Sequence, residues 1–171
     1  MPTLDLENTD HLAQLNARWR FAEGLIPGQP NGGQTLGTPD SPVRLADYDD
    51  SDWEIIDDIK KGRFKGFVFG WYRIAITLPE TVDGEAIANK SVFFETCVDD
   101  YAELWIDGEC DLAFGESGHG AVSGFNAPQR VSVSESAEPG ACHVIACLAV
   151  NGPFAAPKGG IFMRYARLQF E

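Results

Sequence analysis

Apolar and polar residues alternate with a period of two through much of the chain, most plainly over 91–109, SVFFETCVDDYAELWIDGE. Val92, Phe94, Thr96 and Val98 alternate with Phe93, Glu95 and Cys97, which puts the two sets on opposite faces of a strand. Asp99 and Asp100 break the run. Ala102, Leu104 and Ile106 then alternate with Tyr101, Glu103 and Trp105 until Asp107-Gly108 signals a turn. A second alternation runs from Gly70. Tyr72, Ile74, Ile76 and Leu78 share one face and Trp71, Arg73, Ala75 and Thr77 the other, and Pro79, with no N–H to give a ladder, ends it. If strands 70–78 and 91–98 are neighbours, Arg73 and Glu95 meet as a pair. Strands with one aliphatic face need a covering layer, which predicts an all-β, two-sheet antiparallel sandwich of the jelly-roll kind.

The remaining pattern fits that architecture. Thr9 or Asp10 is placed to cap a short helix reaching Leu15, and Trp19, Arg20 and Phe21 read as the first strand. ADYDDSDWEIIDD reads as an acidic turn entering a short strand, and RVSVS as another strand. CHVIACLAV is apolar at nearly every position, as in a central strand buried on both faces. In FMRYARLQF, Phe162, Arg164, Ala166, Leu168 and Phe170 share a parity, so a regular strand would turn Arg164 inward. Gly, Pro and Asn crowd 26–42, 115–128 and 151–160, which are therefore surface loops. There are no internal repeats, and residues 1–171 are expected to form one domain.

Composition narrows the partners. The 171 residues are enough to bury a core unaided. A formal charge of −13 argues against nucleic acid and anionic membranes, since like charge repels at long range. It is compatible with a neutral ligand, a cation or a basic protein partner; the partners expected are a carbohydrate-related small molecule and a second copy of the chain. MPTLDLENTD has neither a basic nor an apolar leader region, and no apolar run approaches about 20 residues, so the expectation is a cytoplasmic protein. Cys97, Cys110, Cys142 and Cys147 lack CxxC spacing and read as free, mostly buried thiols rather than zinc ligands with His11, His119 and His143.

In this order the segments resemble the sugar-binding domain of family 2 glycoside hydrolases, a galactose-binding-like jelly roll. LNARWRF (15–21) resembles its opening strand and YDDSDWEII (48–56) its acidic turn before a Trp. GWYRIAITLPE (70–80) is similar to its aromatic-Tyr-Arg strand, and VDDYAELWIDGE (98–109) to its hairpin ending in an Asp-Gly turn. PGACHVIACLAVNG and GGIFMRYARLQF resemble the closing strands less tightly. The resemblance implies a carbohydrate-recognition module. In that family the catalytic carboxylates belong to a separate barrel domain, so it supplies no catalytic residue.

The residues themselves offer a polar-aromatic cleft. Aromatic faces stack on sugar C–H surfaces while planar polar groups hold hydroxyls, and the outward parity of the middle strands supplies Trp71, Arg73, Phe93, Glu95, Tyr101 and Trp105. His119, in a glycine-rich loop, and Arg164 complete the candidate ligand contacts. The bland reading makes Arg73 and Glu95 a cross-strand ion pair and His119 a solvent-exposed loop residue. An alternative function is a small enzyme acting on a sugar-derived or aromatic substrate with Glu95 as base, His119 as acid and Arg73 as anchor. A second is a structural oligomerisation domain. No cofactor is expected, and Asp99 and Asp100 are the candidate calcium ligands, set against a role as turn residues.

Overall fold

The computed structural model describes residues 1–29, 41–110, 127–152 and 159–171, and the backbone of 121–123. In chain order the elements are β1 (Thr3–Asp5), α1 (Thr9–Gln14), β2 (Trp19–Glu23), β3 (Glu54–Ile56), β4 (Val68–Thr77), β5 (Thr81–Val82), β6 (Glu85–Ala86), β7 (Val92–Asp99), β8 (Tyr101–Ile106), β9 (Ala121–Ser123), β10 (Pro128–Ser134), β11 (Cys142–Asn151) and β12 (Phe162–Phe170). A four-stranded sheet, β1-β12-β7-β10, faces a six-stranded sheet, β3-β2-β4-β11-β8-β9, and β5-β6 is a small hairpin. The pairings are antiparallel. This is the expected β-sandwich. No helix among the described residues is long and apolar enough to cross a membrane.

The alternation builds the core as the sequence implies. Tyr72, Ile74, Ile76 and Leu104 of the larger sheet meet Val92, Phe94, Leu168 and Phe170 of the smaller. Trp19 crosses between the layers, its Nε1 donating to the Leu6 carbonyl at 2.9 Å. β11 occupies the centre of the larger sheet, with Ile145 to Ala149 buried. All four cysteines are free, with Cys97 and Cys147 buried and Cys142 exposed.

Four expectations are corrected. β7 and β8 are not a hairpin: the chain changes sheets at Asp99-Asp100, so β7 pairs with β10 and β12 while β8 pairs with β11 and β9. Likewise β4 lies between β2 and β11, away from β7. The parity of β12 does not hold through its length. A bulge between Met163 and Tyr165 makes Arg164 the extra residue, so Met163 enters the core and Arg164 is half-buried outside it. The cap of α1 is Asn8, whose side chain accepts from the Asp10 and His11 N–H groups, satisfying two of the donors a helix start leaves open.

Candidate functional site

The outward face of the larger sheet is covered. Trp71, Trp105, Ala146 and Leu148 form a second apolar cluster with Leu25 and Val43. Trp71 is fully buried and its Nε1 donates to the Leu25 carbonyl at 3.0 Å. That carbonyl also accepts from Ser41 Oγ at 2.8 Å. Trp105 packs under the Arg44 guanidinium, 5.4 Å from its ring centroid. Neither tryptophan presents an open face to a ligand. Beside them Glu103, 5% exposed, accepts from Tyr101 Oη at 2.6 Å and Trp105 Nε1 at 3.2 Å. Burial, with Glu103 next in weight, pushes the Tyr101 phenol up.

Arg73 fastens residues 41–53, a strap over that face. Its Nε donates to Asp50 Oδ2 at 2.8 Å, its Nη1 to the Val43 carbonyl at 3.2 Å, and its Nη2 to the Ala46 and Tyr48 carbonyls at 3.0 and 3.2 Å. The carboxylate that answers it is therefore Asp50, not Glu95. Glu95 lies on β7 in the other sheet, its register neighbours Arg130 and Arg167. There it acts on Tyr165, whose phenol is pushed up to about 12 by burial first and the Glu95 charge second. Arg130 sits over the Phe93 ring at 3.6 Å, and Arg167 over Tyr165 at 5.0 Å. The expected Arg73–Glu95 pair is thus divided between two sheets.

The other candidates also separate. Arg164 lies over Phe162, 4.9 Å from its centroid. Asp99 is nearly buried and its Oδ1 has no hydrogen-bond partner among the described residues. Burial first, then the like charge of Asp100, raises its pKa, with Arg164 opposing. Asp100 Oδ2 accepts from the Gly152 N–H at 3.0 Å. Among the described residues no three His, Cys, Asp or Glu side chains converge as a metal site. His119 falls outside the described residues.

Among the described residues, an open polar concavity lies at the margin of the strap. A pocket of about 220 Å³ is lined by Asn16, Arg18, Arg20, Asp50, Arg73 and Ala75. Its position follows from local chain physics. α1 ends with Asn16 in the left-handed region (φ 50°), Asn16 N–H donating to the Ala13 carbonyl and Ala17 N–H to the Leu12 carbonyl. That closure turns the chain into β2. From Asn16 onward, Ala17, Trp19 and Phe21 face inward and Asn16, Arg18 and Arg20 outward, on the period of a strand.

Arg20 lies directly opposite Arg73 across the β2–β4 ladder, an arrangement of like charges that is unfavourable alone. Asp50 sits between them, Oδ1 at 3.4 Å from Arg20 Nε and Oδ2 at 2.8 Å from Arg73 Nε. Arg20 Nη1 donates to the Asp50 and Ser51 carbonyls at 3.0 and 2.9 Å. Arg18 is exposed and makes no hydrogen bond or ion pair among the described residues. Asn16, Arg18, Arg20 and Asp50 were absent from the sequence-derived candidates, although the first three alternate in the opening-strand motif LNARWRF.

Neither a scan of protein-family models nor a search of curated proteins returns a match. Solved structures are similar in fold. A family 2 glycoside hydrolase from Bacteroides cellulosilyticus matches 99% of this chain at 15% identity with a TM-score of 0.59. A beta-glucuronidase from glycoside hydrolase family 2 matches 98% at 18% identity, TM-score 0.56. A Faecalibacterium prausnitzii beta-glucuronidase matches 99% at 15% identity, TM-score 0.56. The chain spans 21%, 17% and 31% of those chains respectively. It therefore corresponds in fold to one small β-sandwich within each.

Proposed function

We propose that this chain is a non-catalytic carbohydrate-recognition module whose ligand occupies the pocket between β2 and the 41–53 strap. The observation that carries the reading is the pocket's chemistry: planar amide, guanidinium and carboxylate groups ring a concavity with exposed Ala75 among its lining. Sugars are held by such planar groups at their hydroxyls and by small apolar contacts at their C–H faces. The volume, about 220 Å³, lies below the roughly 300–1,000 Å³ of drug-sized sites, which suits one pyranose-sized ring rather than a long oligosaccharide. The sandwich shared with glycoside hydrolases of family 2 is compatible with an accessory role beside a catalytic domain, an argument by fold analogy. The enzymatic alternative loses its anchor, because Arg73 is committed to the strap and Glu95 faces away on the other sheet.

A thermal-shift panel of monosaccharides, sugar acids and sugar lactones tests the reading. A ligand binding only the folded chain raises stability by about 2.7 kcal/mol at one hundred times its Kd. The expected result is a concentration-dependent rise in Tm with at least one monosaccharide-sized compound. A panel with no rise up to tens of times the concentrations typical of weak sugar binding would contradict it.

A further inference from the structure

The pocket has a sign of charge that the rest of the chain does not. The whole protein carries −13, yet three guanidiniums and one carboxylate line this cavity. Two positive charges are left unbalanced there. Asp47, Asp49 and Asp52 of the strap are not among the lining residues, and Asp49 Oδ1 is occupied by the Ser51 N–H at 3.0 Å.

The donors divide by what they already do. Arg73 spends its Nε, Nη1 and Nη2 on Asp50 and three strap carbonyls. Arg20 spends Nη1 on strap carbonyls and sets Nε against Asp50, while its Nη2 makes no bond among the described residues. Arg18 spends nothing among the described residues. In a chain with twice as many acidic as basic side chains (26 against 13), an arginine without an acid partner beside a cavity is a free fork whose geometry matches a carboxylate. Arg73 and Asp50 then hold the frame, and Arg18 with Arg20 Nη2 offers the open donors.

The geometry points to a ligand bearing a carboxylate: a sugar acid whose two carboxylate oxygens take the Arg18 fork, with Arg20 Nη2 as an additional donor and the Asn16 amide near an adjoining hydroxyl. This inference rests on the carbohydrate reading above and specifies the ligand class for the same pocket. The selectivity arises because a neutral sugar leaves the guanidinium fork without its anion, whereas hydrogen bonds to charged groups are the stronger ones.

The test is calorimetric titration with D-galacturonate and D-galactose, which differ at C6 by a carboxylate for a hydroxymethyl group, and with inorganic phosphate as a sugar-free oxyanion. The same titrations are repeated on Arg18→Gln, a change at an exposed side chain that holds no part of the fold together. The expected result is that D-galacturonate binds at least about tenfold more tightly than D-galactose, that phosphate binds more weakly than the uronate, and that R18Q abolishes the preference by weakening D-galacturonate far more than D-galactose. Equal or tighter binding of D-galactose would overturn the carboxylate assignment and leave sugar recognition standing. Phosphate binding as tightly as the uronate, with no galactose binding, would overturn both. An undiminished uronate preference in R18Q would overturn the role given to Arg18.

Discussion

Arg73 shows what one side chain decides in this molecule. Its side chain is 3% exposed and pairs with Asp50, so truncation leaves Asp50 and three carbonyls short of a donor. Breaking a buried pair from one side costs roughly 3–5 kcal/mol. Arg73→Met is expected to lose stability on that scale in urea unfolding, and Arg73→Lys to recover only part of it, since an ammonium cannot replace a fork reaching four acceptors. Asp99 gives the opposite sign. Its raised pKa means the folded chain holds that proton more firmly than the unfolded one. Stability therefore falls as pH rises from the ordinary carboxylate value through the raised one. Asp99→Asn is expected to raise Tm at pH 7, with the gain shrinking as pH drops toward 4, read from melts across that range. In the sequence, Arg73 was legible as a polar residue on the outward parity, but its partner was not. Asp50 lies 23 positions away in what reads only as an acidic turn, and no periodicity reports which carboxylate a strap delivers. Glu103 was nearer to hand, since it shares a parity with Tyr101 and Trp105.

At the scale of elements, alternation located the long strands and failed where the chain stops being periodic. The parity of β7 and β4 placed their buried faces correctly because each strand is regular over that stretch. One bulge in β12 exchanged Met163 for Arg164 in the core, and period-two reading has no way to register an inserted residue. The β7–β8 pair failed for another reason: two consecutive strands with a short acidic break look alike whether they pair or change sheets. Close packing between elements also yields a test. A Cβ added at Gly70 of β4 would stand 2.5 Å from Phe21 Cζ and 3.2 Å from Ile161 Cδ1. The Phe21 ring is hemmed in by Tyr72 at 4.8 Å and by the Arg63 guanidinium at 4.9 Å. Gly70→Ala is expected to cost about 1–3 kcal/mol through overpacking, seen as a Tm lowered by roughly 2–4 °C per kcal/mol. An unchanged Tm would mean the β2–β4 contact is looser than described.

For the whole molecule, the two faces of the sandwich have different occupations. The outer face of the larger sheet is sealed by the 41–53 strap over Trp71 and Trp105. The outer face of the smaller carries the Glu95–Tyr165 contact with arginines over Phe93 and Tyr165. The open polar concavity lies at the strap's margin, where the end of α1 feeds β2. The most direct measurement of that assignment is two-dimensional ¹H–¹⁵N NMR of the labelled chain during titration with D-galactose and, separately, D-galacturonate. The account predicts saturable shifts of the backbone amides of Asn16, Arg18, Arg20, Asp50, Arg73 and Ala75, with the amides of Phe93, Glu95 and Tyr165 unmoved. Shifts centred on Phe93, Glu95 and Tyr165, or none with either sugar, would contradict it.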